Sequence, residues 1–176
     1  GTATTGLAVT GIDETDGSWE YTIDGSMWNS LAGVSTGSAV LLANDGDNAV
    51  RFVPDANYNG GSGNITFVAW DQSDANPDGS TGIDVSTGGG TTAYSTGSGT
   101  GSLTVNALND FPVVNNLDGT SANTYIEGNP AVIIDADVTL TDVELGAAAD
   151  YEGATLTLVR NGGVNSDDVF GFNDNG

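Results

Sequence analysis

The sequence contains no cysteine, no histidine and no lysine, and its only cations are Arg51 and Arg160. Each absence removes a class of chemistry. Without cysteine there is neither a disulfide framework nor a thiol nucleophile. Without histidine there is no Ser–His relay and no imidazole for a transition metal. Without lysine no Schiff base forms. A paired-carboxylate glycosidase survives this elimination, but such sites sit in deep clefts of larger folds, and a chain this small and turn-rich is not expected to be an enzyme. No run of about 18 apolar residues is present, so no membrane-inserted helix is expected. The start at Gly1 lacks a basic n-region, and the chain reads as an internal or processed piece of a larger protein.

What is abundant is negative charge. Against two arginines stand 24 acidic residues, for a net charge of −22, so the chain cannot neutralise itself through ion pairs. Phosphate backbones and anionic membrane surfaces would be repelled, which excludes nucleic acid as a partner. The acidity then suits ligation of divalent cations, a solvating surface for a salty environment, or disorder. Disorder is the weakest of the three because apolar and polar residues alternate in recognisable strands. Small domains without disulfides commonly use a structural metal instead.

Glycine supplies 27 of 176 residues and the hydrophobic fraction is 38%, a composition for short strands joined by many turns. Leu7-Ala-Val-Thr-Gly-Ile12 and Ser18-Trp-Glu-Tyr-Thr-Ile23 alternate with period two, and Asp13-Glu-Thr-Asp-Gly17 between them is turn chemistry, so the pair is expected to form a β-hairpin. Trp28 is expected in core packing or a cross-strand contact. Further strands are expected at residues 39–42, 49–53, 64–70 and 91–108. The polar segment 71–92 is long for a structureless loop and suggests a functional or mobile element. Beyond it, strands are expected at 123–127, 131–140, 154–159 and 168–172. Val143-Glu-Leu-Gly-Ala-Ala-Ala149 is the one helix candidate, and Gly146 favours a single turn there. The fold class is all-β.

The stretch Asn106-Ala-Leu-Asn-Asp-Phe-Pro-Val-Val114 divides the chain into residues 1–110 and 111–176. Asn109-Asp110-Phe111-Pro112 resembles the Asp-x-Asn-Asp-Asn-x-Pro linker of cadherin-like repeats, with Asn106 where an Asp would stand. Val68-Ala-Trp-Asp71 is similar to the strand end that precedes such a linker. Tyr125-Ile-Glu-Gly128 resembles the Glu motif of a first strand, and Thr141-Asp-Val-Glu144 the later Asp-x-Asp motif. Residues 19–25, 51–60 and 65–71 are similar to cadherin-like and Ig-like tandem repeats of giant bacterial surface proteins of the RTX-adhesin type.

The resemblance implies tandem antiparallel β-sandwich units from an extracellular bacterial adhesin or surface fibre, incomplete at both chain ends. It implies Ca²⁺ as the cofactor. Repulsion between carboxylates of the two units would be converted by the ion into a stiff junction. Ca²⁺ takes 6–8 hard oxygen ligands, and the ligands implied are Asn109, Asp110, Asp142 and Glu144. By the same match Asp71 and Glu127 would serve neighbouring junctions, with Asp74 extending the Asp71 site; Asn76-Pro-Asp-Gly79 reads equally well as an ordinary turn. Expected partners are neighbouring repeats, copies of the chain that complete one another by strand addition, or a surface or glycan target. The alternative is a carbohydrate-binding module with Trp19, Trp28, Trp70 or Tyr94 as its stacking platform.

Overall fold

The computed structural model describes residues 5–117, 126, 128–130, 133, 135, 137–148, 155 and 157. Among them the chain forms strands β1 (Gly6–Ile12), β2 (Gly17–Thr22), β3 (Asn29–Ser30), β4 (Val40–Ala43), β5 (Ala49–Pro54), β6 (Gly60–Gly61), β7 (Ile65–Trp70), β8 (Tyr94–Gly101), β9 (Thr104–Val105), β10 (Val113–Asn115) and β11 (Thr139–Thr141). One helix follows, α1 (Val143–Ala148). Every strand pairing is antiparallel, and the all-β expectation holds. The chain separates into two units, Gly1–Leu108 and Asn109–Gly176. The strands expected at 123–127, 131–134, 154–159 and 168–172 fall wholly or largely outside the described residues.

In the first unit a four-stranded sheet runs β4-β1-β7-β8 and a three-stranded sheet runs β3-β2-β5. The expected hairpin of residues 7–23 is therefore corrected: β1 and β2 lie in different sheets. The reason is burial. Both strands carry apolar side chains that need a partner layer, and stacking the strands face to face buries them where pairing them edge to edge would not. Val9, Val40, Leu42 and Ile65 meet Trp19, Tyr21, Leu31 and Phe52 in one cluster between the two sheets. Trp19 and Phe52 face each other in register, with ring centroids 5.3 Å apart and planes tilted by 58°.

Because side chains alternate along a strand, the four-stranded sheet carries a second apolar face. Ala8, Leu41, Val68 and Trp70 form that face and are packed by Val85, Ala93 and Tyr94. The cover comes from the long polar segment 71–92, which the sequence marked as functional or mobile. It is a packed third layer tied to β4. Ala39 and Ile83 exchange backbone hydrogen bonds of 2.8 and 3.2 Å, and the Leu41 N–H donates to Ser80 O at 2.9 Å. The Asp78 carboxylate accepts from the Ala43 N–H at 2.7 Å and from the Asn48 side-chain amide at 2.9 Å. Val85, with Ile83 packed beside it, anchors this largely polar run.

Two glycines make the sheet packing fit. A Cβ at Gly6 would fall 2.5 Å from Leu42 O and 2.8 Å from Trp70 Cε3. A Cβ at Gly99 would fall 2.8 Å from Phe67 Cε2. In both cases an aromatic ring on the paired strand lies across the space a side chain would occupy.

Trp28 is partly exposed rather than in the core. It lies under the Arg51 guanidinium, 4.0 Å from ring centroid to Cζ, and Arg51 pairs with Glu20 at 2.6 Å across the β2–β5 ladder. Such exposed pairs and stacks each contribute under about 1 kcal/mol. Arg51→Met is expected to lower stability in a urea titration by no more than about 1 kcal/mol, although it removes half of the chain's cations.

Candidate functional site

Aspartate is the commonest acid here, and in the first unit its carboxylates have local work. Asp13, Asp24, Asp45, Asp71, Asp74 and Asp84 each accept the backbone N–H two residues on, at 2.8 to 3.3 Å. This is the side-chain turn that makes Asp a favoured turn residue. Hydrogen bonds hold several of these carboxyls below the ordinary carboxylate range: the Thr15 hydroxyl and N–H for Asp13, the Met27 and Ser26 N–H groups for Asp24, and Ser73 for Asp71. Much of the acidity is therefore turn chemistry on the surface.

Asp71 and Asp74 both lie in the first unit. Asp71 is exposed and occupied with Ser73. Asp74 has a different setting. Its Oδ1 accepts from the indole N–H of buried Trp70 at 3.0 Å, and its Oδ2 accepts from the hydroxyl of Tyr94 and from the Asn76 amide at 2.8 Å. Burial pushes the Asp74 carboxyl up, and the bonds from Tyr94, Trp70 and Asn76 more than reverse this, leaving it below the ordinary value. Both oxygens are engaged with donors of the core, so Asp74 acts as the clasp between β7, β8 and the covering segment. Gln72 and Ala75 on either side of it adopt left-handed backbone angles, φ 61° and 58°.

Asn109, Asp110, Asp142 and Glu144 all belong to the second unit. The β10–β11 ladder pairs Val113 with Thr141 and Val114 with Leu140. Extending that register backwards places Asp110 opposite Glu144, and there the Asp110 N–H donates to Glu144 Oε2 at 3.2 Å. Asp142 is buried at 9% exposure and caps α1: its Oδ1 accepts the Leu145 N–H at 2.9 Å, and its carbonyl accepts the Gly146 N–H at 2.8 Å. The single turn expected here is a six-residue helix, started by that cap. Asn109 donates its amide to Asp110 O at 2.7 Å. Glu127 lies outside the described residues.

The donors suit a hard cation, since every group is an oxygen ligand. Their geometry is not a cage: among the described residues no three acidic side chains converge. Asp110 meets Glu144 through its backbone N–H, while one oxygen of Asp142 is committed to the helix cap.

For the alternative stacking platform, the exposures are decisive. Trp19, Trp70 and Tyr94 are core residues at 3%, 2% and 9%, which leaves partly exposed Trp28 alone, with Arg51 over its ring. An open groove of about 700 Å³ does lie on the outer face of the four-stranded sheet, floored by Thr10, Thr66, Val68 and Ser98 and walled by Ser86 and Thr87. It has hydroxyls, but no ring on which a sugar could stack. It carries no sequence signal, because it lies beside residues 86–88 of the covering segment, a stretch with no motif.

Comparison with known proteins gives no match: no protein family, no curated protein and no solved structure resembles the chain significantly.

Proposed function

We propose that this chain is a structural, non-enzymatic β-module of an extracellular, repeat-built bacterial surface protein, and that Ca²⁺ stiffens the segment that opens its second unit. Glu144, Asp110, Asn109 and the remaining oxygen of Asp142 would hold the ion, which would supply charge neutralisation between carboxylates. Neighbouring repeats would be its partners. The observation that carries the reading is the Asp110–Glu144 contact, because strand register sets the Glu144 carboxylate against the Asp110 backbone N–H and so gathers two acidic residues of the linker-like motifs at one end of the β10–β11 ladder. A sheet-and-turn scaffold with carboxylates committed to turns fits a load-bearing role better than a catalytic one.

Thermal unfolding tests it. Millimolar CaCl₂ is expected to raise the transition of the second unit saturably, on the scale of about 2.7 kcal/mol at a hundredfold excess over Kd. EDTA should reverse the shift, and Glu144→Gln should remove most of it while leaving the first unit's transition in place. An equal shift in KCl of matched ionic strength would mean charge screening alone and would overturn the calcium reading.

A further inference from the structure

The groove on the outer face of the four-stranded sheet has no part in the structural role proposed above. Its volume is about 700 Å³, and ten of its twelve lining residues are Ser, Thr or Gly. None is charged, although the chain carries a net charge of −22. The neighbouring acid along the chain, Asp84, is occupied with the Ser86 N–H. Val68 and Val85, buried at 8% and 4% exposure, complete the lining.

Two strand irregularities shape this groove. β1 shifts register against β7 between Val9 and Gly11, and β8 shifts between its pairings with Val68 and Trp70. Bulges re-aim side chains, and the residues at these two, Thr10 and Ser95–Thr96, line the groove. The walls are pinned. The Val85 N–H donates to Thr36 O at 2.8 Å, and the Gly89 N–H to Tyr94 O at 2.7 Å. A Cβ at Gly88 would fall 2.4 Å from Ser95 O, so this wall lies directly on β8. The site is preformed, and filling it requires no ordering of the chain.

Elsewhere in the unit hydroxyls are used locally, as where Thr15 and Thr22 donate to Asp13 and Asp24. In the groove Thr10 and Ser95 are used in that way too. The hydroxyls of Thr36, Thr66, Thr87, Thr96 and Ser98 bond to no described residue. Each can both donate and accept, as sugar hydroxyls do. A peptide strand instead seeks an unpaired sheet edge, whereas this floor is the face of strands already paired to one another. The negative field of the chain disfavours sulfated or uronate polymers. We infer that the groove binds an uncharged, linear polysaccharide by hydrogen bonds between hydroxyls, without aromatic stacking.

Native gel electrophoresis in EDTA tests this apart from the calcium reading, with dextran, soluble starch or galactomannan cast into the gel. At least one of these neutral polymers is expected to retard the chain, and alginate is not. Thr66→Val and Ser98→Ala each remove one hydroxyl and should weaken the retardation about two- to tenfold. Gly11→Ala separates binding from folding. Its Cβ would lie 3.5 Å from Thr66 Cβ and 3.8 Å from Thr66 Oγ1, so it fills the floor without a clash. It should weaken retardation while the melting temperature stays level or rises. No retardation by any of the three neutral polymers overturns the proposal, as does equal retardation by alginate. Loss of retardation in Trp28→Ala but not in Thr66→Val would move the site to the exposed indole and overturn it. Full displacement of the polymer by a Gly-Ser peptide would mark a peptide groove instead.

Discussion

Asp74→Ala is expected to lower the stability of the first unit by about 2–5 kcal/mol, far more than an exposed carboxylate normally contributes. The loss comes from its partners. Trp70 is 2% exposed and Tyr94 9% exposed, and each gives its polar hydrogen to this carboxylate. Removing the acceptor strands two buried donors at about 1–3 kcal/mol each. Relaxation of the left-handed angles at Gln72 and Ala75, each costing roughly 1–2 kcal/mol in the native fold, would offset part of that loss. Asp74→Asn keeps one carbonyl acceptor and should lose less. A urea titration followed by tryptophan fluorescence measures both variants, and a double-mutant cycle with Tyr94→Phe isolates the Asp74–Tyr94 coupling. A change within about 0.5 kcal/mol for Asp74→Ala would remove the clasp from this account.

The same pair sets a pH signature. The Asp74 carboxyl lies below its ordinary value of 3.8, so its contribution is present above about pH 4 and is lost as pH falls through the folded-state value. Burial first, and then the bond to Asp74, push the Tyr94 hydroxyl up to about 12 from 10.0. Its contribution is complete below pH 10 and is lost as pH rises through about 12. Stability should therefore be flat between these limits, and Tyr94→Phe should flatten the alkaline side.

Gly6→Ala is expected to be the most damaging single-methyl addition among the residues discussed. The new Cβ would fall 2.5 Å from Leu42 O and 2.8 Å from Trp70 Cε3. One neighbour is backbone in the middle of the β1–β4 ladder, and the other is a ring clamped by Asp74. Neither can give way without breaking its own bonds. Overpacking of this kind costs about 1–3 kcal/mol and more where backbone must move. At roughly 4–8 °C per kcal/mol for a unit of this size, the expected fall in Tm is about 4–24 °C. Gly37→Ala is the control, because no atom lies within 4 Å of its Cβ position. Equal behaviour of the two variants would contradict the close approach of Trp70.

Strands were legible wherever alternation was strong. Trp19 and Tyr21 do face inward, and Ile65 to Trp70 is a central strand buried on both faces. Strand partners were not legible. Asp13 to Gly17 looks like a hairpin turn, but a turn motif reports only that the chain reverses, not whether it stays in one sheet. The segment 71–92 misled for a related reason. Its composition is polar because its Asp, Ser and Gly residues make turns, while its packing rests on Ile83 and Val85, too few to show as a period. At the candidate site, the Asp110–Glu144 meeting follows from the β10–β11 register, whereas the use of Asp142 as a helix cap became visible only with α1 in place.

The central position of β1 also governs how the first unit can fold. Its first strand bonds to β4 on one side and to β7 on the other, so contacts such as Thr10 with Thr66 and Gln72 with Thr5 join positions 56 and 67 apart in the chain. Such long closures must be made before most of the sheet gains any stabilisation, which places the unit among high-contact-order folds that form in milliseconds to seconds rather than microseconds. A chain emerging amino-terminus first would carry β1 with β4 alone beside it until the whole of β7 had followed. A neutral β8 and a strongly anionic remainder then have a kinetic meaning as well: repulsion between neighbouring unfinished chains keeps their exposed strands apart during the interval in which they are most able to pair wrongly.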